Sequence, residues 1–320
     1  MKKIRANNRA LHLATRSGWY RFHSQGETWA QTNRALTYWN LTCLQVGPEN
    51  TGDIYVGSEH SGLFESHNGG VDWKRTDPNV PRLTLTSLLA LPNRVLAGTV
   101  PAALFSNNAG IWHELDGVRR GAAGSTFPPS PDIGARTRYL AADNGSPIRL
   151  FAGIEVGGVL VSDDGGLNWR PANNGLGDPD VHQICCSTKT AGLVVTANGE
   201  GIYRSLDRGE HWETITPAGP RTYGTAVTED RAGNIYLGMA RGRPNTWLRQ
   251  ERADAAVYCS GDSGVNWHLV VGGLAGGVLD LYPGIDGEGA FAATSEGEVL
   301  TVRDDGWETV IGNLPCINAL

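Results

Sequence analysis

Ser162-Asp163-Asp164-Gly165-Gly166-Leu167-Asn168-Trp169 has the form S-x-D-x-G-x-x-W, and the form recurs. Ser205-Leu206-Asp207-Arg208-Gly209-Glu210-His211-Trp212 and Ser260-Gly261-Asp262-Ser263-Gly264-Val265-Asn266-Trp267 repeat it, and Ser66-His67-Asn68-Gly69-Gly70-Val71-Asp72-Trp73 does so with Asn for Asp. Three copies are degenerate. One runs from Ser106 to Trp112 and is one residue short; Asp304-Asp305-Gly306-Trp307 is two residues short; and the first, ending Gly26-Glu27-Thr28-Trp29, has Phe22 and Ser24 in place of Ser and Asp. Self-similarity at this spacing marks an array of like structural units.

The spacing has a chemical reason. A carboxylate or amide two residues after the Ser accepts hydrogen bonds from turn amides, and the Gly takes a positive φ that other residues resist. The Trp then re-enters a strand and packs between neighbouring sheets. Burying roughly 150–250 Å² per ring at about 25 cal/mol/Å² contributes on the order of 4–6 kcal/mol each as an upper bound.

Around each turn the chain reads as four short strands; in the fifth unit they cover 181–187, 192–197, 201–205 and 211–215. The first unit supplies only three, over 9–15, 18–23 and 28–32. Cys316-Ile317-Asn318-Ala319-Leu320 resembles the inner strands at 85–91 and 181–187, so it is expected to pair into the first unit as its inner strand and close a ring, removing a free edge. The chain is therefore expected to be all-β: a single seven-bladed β-propeller over residues 1–320, with no second domain.

Composition agrees. Of 320 residues 43 are Gly and 10 Trp, but only 2 are Met, a mixture suited to many tight turns and sheet packing. The net charge of −6 argues against a general nucleic-acid binder. No stretch approaches the roughly 20 apolar residues of a membrane span, and the expected location is the cytoplasm. Cys43, Cys185, Cys186, Cys259 and Cys316 are odd in number and lack metal-knuckle spacing. Adjacent Cys185 and Cys186 read as buried hydrophobes pointing to opposite faces of a strand. No metal or cofactor is expected; phosphate loops, HExxH and GxSxG are absent, and each repeat turn offers too few oxygens for calcium.

The repeat resembles that of the BNR/Asp-box propellers, a superfamily that includes sialidases, xyloglucanases, sortilin-type receptors and photosystem II assembly factors. The resemblance covers nearly the whole chain and implies a fold rather than an activity, because the Asp box in that superfamily is a structural turn remote from the active site. A sialidase is not expected, since no Arg-Ile-Pro occurs and seven repeats exceed six blades; a xyloglucanase would need two propellers. Narrower segments, Gly98 to Phe105, Phe127-Pro128-Pro129, Gly153 to Leu160 and Asp180-Val181-His182, resemble bacterial cytoplasmic propellers labelled BNR repeat or glycosyl hydrolase. Glu155 and His182 fit that group's pattern. Val100 and Ala135-Arg136 stand where the group commonly carries Glu and His, which implies an altered or lost activity if those positions are catalytic.

Topology then orients the molecule. The repeat turns mark one face; second-to-third-strand turns and inter-blade links share the other. The Trp residues at 29, 73, 112, 169, 212, 267 and 307 are spaced by 44, 39, 57, 43, 55 and 40 residues, so two insertions stand out. They are residues 117–136 and 240–256, both expected on the face opposite the repeat turns, as a lid or pocket rim or as tolerated surface loops. On that face Glu155, His182 and Tyr223 are the candidate acid, base or nucleophile, and Arg16, Glu59, His60, Arg138, Arg221, Arg241 and Trp247 the candidate ligand contacts. Two readings remain. One is a small-molecule site for an anionic or polyhydroxylated ligand, with hydrolase, lyase or cyclase-type chemistry. The other is a docking platform for a protein, with Trp247 and its arginines as anchors.

Overall fold

Each repeat closes one four-stranded antiparallel sheet, and seven such blades stand around a central channel. The computed structural model describes residues 10–26, 28–47, 52–76, 84–108, 111–123, 135–247 and 252–320. The inner strands of blades two to seven are Leu41–Val46, Thr84–Leu91, Arg136–Ala142, Val181–Cys186, Tyr223–Glu229 and Val278–Pro283. In blade one the innermost strand is Ile317–Ala319, antiparallel to Ala10–Thr15, with Ala14 opposite Ala319 and Thr15 opposite Ile317. The Arg16 amide extends this pairing by donating to the Cys316 carbonyl at 3.0 Å. The ring is closed as expected. Among the described residues no helix is long and apolar enough to cross a membrane.

The repeat turns work as their chemistry requires. In blade four the Ser162 hydroxyl donates to Asp164 Oδ1 at 2.8 Å, the Gly166 amide to Ser162 Oγ at 2.8 Å, and the Asn168 amide to Asp164 Oδ1 at 2.9 Å. The amide and side chain of Asn168, with Ser162, hold the Asp164 carboxyl down at about 2. Gly166 has φ +91°, the conformation that favours glycine. Trp169 and Trp212 are buried in clusters shared by blades three and four and by blades four and five. Trp307 departs from this pattern. Arg303 pairs directly with Gly306, leaving a two-residue hairpin too short to turn the ring inward, and Trp307 is 49% exposed.

The outer strands vary in length: that of blade one, Thr28–Ala35, is longer than read from sequence, and that of blade five is shorter. In blade five the outer strand is Glu213–Thr214 rather than 211–215, and its equivalents are Lys74–Arg75 and Arg170–Pro171. Short charged edges with Pro offer little to an incoming strand. Cys185 packs into the cluster between blades five and six and Cys186 into that between four and five, on opposite faces as expected.

A feature absent from the sequence reading sets the channel wall. The pairing register of the inner strand shifts at one place in blades two to seven: between Leu41 and Cys43, Leu85 and Ser87, Thr137 and Tyr139, Val181 and Gln183, Gly224 and Ala226, and Val278 and Asp280. The skipped residues are Thr42, Thr86, Arg138, His182, Thr225 and Leu279, and Asn318 holds the same place in blade one. All seven line a channel cavity of about 1020 Å³. A bulge re-aims the extra side chain, and four of the seven use it to reach the next blade. Asn318 Nδ2 donates to the Leu41 carbonyl at 2.7 Å, Thr42 Oγ1 to Leu85 at 2.5 Å, Thr86 Oγ1 to Thr137 at 2.7 Å, and His182 Nδ1 to Gly224 at 2.6 Å. Each time the acceptor is the residue just before the next bulge. The Thr225 hydroxyl is buried without a hydrogen-bond partner.

These latches are expected to differ in stability. Thr42→Val, which removes a donor to a neighbouring blade, should cost about 1 kcal/mol. Thr225→Val, which removes an unpartnered hydroxyl, should be neutral or stabilising. Urea unfolding of the two variants checks the contrast, and equal losses would contradict it.

Candidate functional site

The latch of blade five lies in a cluster of charged groups. Glu155 ends the strand Leu150–Glu155 of blade four and stands opposite Arg136, whose guanidinium ion-pairs with Glu155 Oε1. Arg138, the bulged residue of the same blade, reaches Glu155 Oε2 at 3.7 Å. From blade five, His182 Nε2 lies 3.4 Å from Asp180 Oδ1, and from blade six the Tyr223 hydroxyl lies 3.2 Å from the same nitrogen. The polar atoms of Glu155, Asp180 and His182 come within 4.8 Å of one another. Glu155 and His182, read from sequence as neighbours across one blade gap, are brought together, with Tyr223 and Arg138 beside them. The side chains of Glu155, Asp180 and His182 are only 12%, 14% and 5% exposed.

The proton inventory of His182 follows from its partners. A backbone carbonyl can only accept, so Nδ1 carries a hydrogen and donates it to Gly224. The ring can then take up or release its second proton only at Nε2, the nitrogen that faces Asp180 and Tyr223. Burial alone would raise the Asp180 carboxyl, but His182, Arg243 and Arg136 outweigh it and hold it below its ordinary value. The Tyr223 phenol is pushed the other way, by burial first and then by the negative charges of Asp180 and Glu155, so it stays protonated and serves as a donor. The cluster thus holds two carboxylates, an imidazole and a phenol under three guanidinium groups.

Backbone contacts fix the segment that carries Asp180. The Gly157 and Gly158 amides of blade four donate to the Pro179 carbonyl at 3.1 and 3.0 Å, and the Gly199 amide donates to the Asp180 carbonyl at 2.9 Å. Asp178 accepts from the Glu200 amide at 2.7 Å, while Asn198 Nδ2 donates to the Asp178 carbonyl at 2.6 Å. A Cβ at Gly199 would stand 2.6 Å from Asp180 Oδ2, so a side chain there would displace the carboxylate. Below the mouth, Gln183 bridges to Asp280 at 2.9 Å, and burial pushes the Asp280 carboxyl up to about 6. Glu155, Asp180 and His182 are metal-ligating types, but Arg136 already neutralises Glu155, and Arg243 and Arg136 act on Asp180. The set suits proton transfer beside an anion better than a cation.

Other candidate residues are engaged elsewhere. Arg221 and Arg241, read as free clamps, both pair with Asp254: Arg221 at 2.6 Å and Arg241 at 3.0 Å. One carboxylate thus holds both guanidinium groups within blade six, Arg221 more closely than the exposed Arg241. Trp247 donates to the Gly242 carbonyl at 2.7 Å and, half-buried, packs against the core between blades six and seven. Glu59 accepts from Asn40 at 2.6 Å, His60 lies 3.3 Å from Thr84 Oγ1, and Arg16 is exposed beside Cys316. The first insertion begins with the helix Gly117–Ala123, whose Val118 is buried against blades three and four. That part is a wedge rather than a lid; the Phe127 to Pro131 segment lies outside the described residues, as do Arg249 and Glu251. Asp180, Arg136 and Arg243 were missed. Arg136 was legible as the cross-strand partner of Glu155, and Asp180 as the carboxylate two residues before His182.

No family model matches the chain. Over an alignment of 213 positions, covering 64% of this chain and 24% of the other protein, it is 27% identical to a probable oligoxyloglucan-reducing end-specific xyloglucanase of Neosartorya fischeri. The chain is thus matched over about a quarter of that relative's length. In structure it is similar to a GH74 xyloglucanase from Xanthomonas campestris, with TM-score 0.72 and 17% identity over 96% of this chain and 53% of the other. It is also similar to YCF48 bound to D1 peptide, with TM-score 0.58 and 15% identity over 96% and 87%. These likenesses are to propellers, and with the seven sheets they show the β-propeller fold.

The two arginine arrangements predict different costs. Arg136→Gln leaves a mostly buried carboxylate short of its cation and should destabilise by about 1–2 kcal/mol. Arg241→Gln leaves Asp254 paired to Arg221 and should stay within about 0.5 kcal/mol. Denaturant unfolding of both variants measures the difference; equal costs would contradict the assignment.

Proposed function

We propose that the channel mouth around His182 binds a small anionic or polyhydroxylated ligand and acts on it by acid–base chemistry of the hydrolase or lyase type. One observation carries this reading. His182 makes the same inter-blade latch as Thr42, Thr86 and Asn318, a task that a hydroxyl or amide performs elsewhere in the ring. Only an imidazole adds a second ring nitrogen on the far side, and Nε2 meets Asp180 and Tyr223. In this reading Nε2 transfers the proton, Asp180 orients and charges the ring, and Tyr223 donates a hydrogen bond to the ligand or to Nε2. Arg138 and Arg243 attract a carboxylate or phosphate. Glu155, held by Arg136, is the second carboxylate available to act on the ligand.

The likeness to YCF48 bound to D1 peptide supports a second reading, in which the same face docks a protein segment. The cytoplasmic location expected from sequence suits both.

The variant His182→Thr separates latch from chemistry. It restores a hydroxyl donor to Gly224 and should fold and melt close to the unaltered chain. Thermal-shift screening of uronates, sugar phosphates and sugar diacids should find a ligand that raises the melting temperature. That rise, and any turnover of the same compound, should be lost in His182→Thr and Arg138→Gln and strongly reduced in Glu155→Gln. If no compound distinguishes the unaltered chain from these variants, the reading is wrong; a peptide whose binding survives all three would favour docking.

A further inference from the structure

A second cluster of metal-ligating residues stands between blades six and seven, away from His182. Tyr236, Cys259 and His268 lie in one row across three strands of blade six, since Tyr236 pairs with Cys259 and Cys259 with His268. Directly paired residues share a sheet face, so the three side chains point the same way, toward Asp304 at the two-residue hairpin of blade seven. His268 Nε2 is 2.6 Å from Asp304 Oδ1, and the sulfur, imidazole and carboxylate ligand atoms all lie within 4.8 Å of one another.

We propose that Cys259, His268 and Asp304 form a binding site for a zinc-class divalent cation, joining blade six to blade seven and leaving a fourth position open. Three observations support it. The donor set is one sulfur, one nitrogen and one oxygen, the borderline-soft mixture that zinc takes and calcium or magnesium does not. The charges acting on the Cys259 thiol, Asp304 and Asp230, are both carboxylates, so a cation is attracted here, whereas guanidinium groups crowd the His182 cluster. The dimensions also fit. Tetrahedral zinc with bonds of about 2.0–2.3 Å separates its ligand atoms by roughly 3.3–3.6 Å. The His268–Asp304 pair needs to open by less than about 1 Å on that geometry, and both side chains are surface groups, 49% and 73% exposed.

The chemistry balances simply. Cysteine ligates a metal as its thiolate, so the S–H proton of Cys259 must leave. Binding exchanges that proton for the metal: one sulfur–metal bond forms, one S–H bond breaks, and one proton leaves to solvent. Affinity should therefore rise with pH. Tyr236, which hydrogen-bonds the sulfur, is the outer partner that orients it. The shortened seventh repeat then has a use: the same two-residue hairpin that leaves Trp307 outside sets Asp304 against blade six.

The test uses the full chain, stripped with chelator and titrated with Co²⁺. One equivalent should give the near-ultraviolet thiolate-to-cobalt band and the intense visible bands of four-coordinate cobalt, and Zn²⁺ should displace both. Cys259→Ser should abolish the thiolate band. His268→Asn and Asp304→Asn, at surface positions, should fold normally yet bind more than about 10-fold more weakly, a loss seen even for outer-shell partners, and should lose the zinc-induced rise in melting temperature. Absence of the band in the unaltered chain, its persistence in Cys259→Ser, or unchanged affinity in both surface variants would overturn the site.

Discussion

A ring of seven wedges depends on what joins each wedge to the next at the narrow end, where the inner strands crowd around the channel. In this protein a bulge at a single position of the inner strand turns one side chain out of the pleat. Where that side chain is Asn318, Thr42, Thr86 or His182, it donates to the carbonyl just before the next bulge. The outer part of a junction is held differently where a repeat-turn Trp is buried between sheets, as for Trp169 and Trp212. In blades two, four and five the edge strand is only two residues long. The interior is thus tied by polar contacts and the flanks by apolar ones, and the closing strand Ile317–Ala319 enters the same scheme through Asn318.

The candidate site is a local departure from that scheme. Arg138 occupies a bulge position yet turns to Glu155 instead of latching, and His182 latches with one nitrogen while presenting the other to Asp180 and Tyr223. Because the bulge aims both residues into the channel, the positions that hold the ring together elsewhere also carry the candidate site here. The guanidinium groups of Arg136 and Arg243 then lower the Asp180 carboxyl without contributing to the sheet.

Much of the fold was legible because its signals are local. The Ser, Asp, Gly and Trp of each turn sit within eight residues, and alternation around Val181 or Leu85 needs no partner to be read. Ring closure by the carboxyl-terminal strand followed from counting strands in the first repeat. The meeting of Glu155 and His182 was inferable from topology alone. Side-chain pairing over long sequence distances was not. Arg221 and Arg241 look like free cations until Asp254 is placed between them, and Trp247 looks like a surface anchor until the core beside it is seen. The bulges were hidden too, since a register shift of one residue leaves no mark on composition, and without it Arg138 and His182 are ordinary strand residues.

The claim at the centre is that His182 keeps a hydrogen on Nδ1 and exchanges its second proton at Nε2. Nitrogen-15 chemical shifts of labelled histidine across a pH titration measure this directly, with the His182 signal assigned by its loss in His182→Thr. The expected result is an Nδ1 that stays protonated throughout while any change of protonation appears at Nε2. A neutral ring protonated at Nε2 with a bare Nδ1 would contradict both the latch and the chemistry assigned to it.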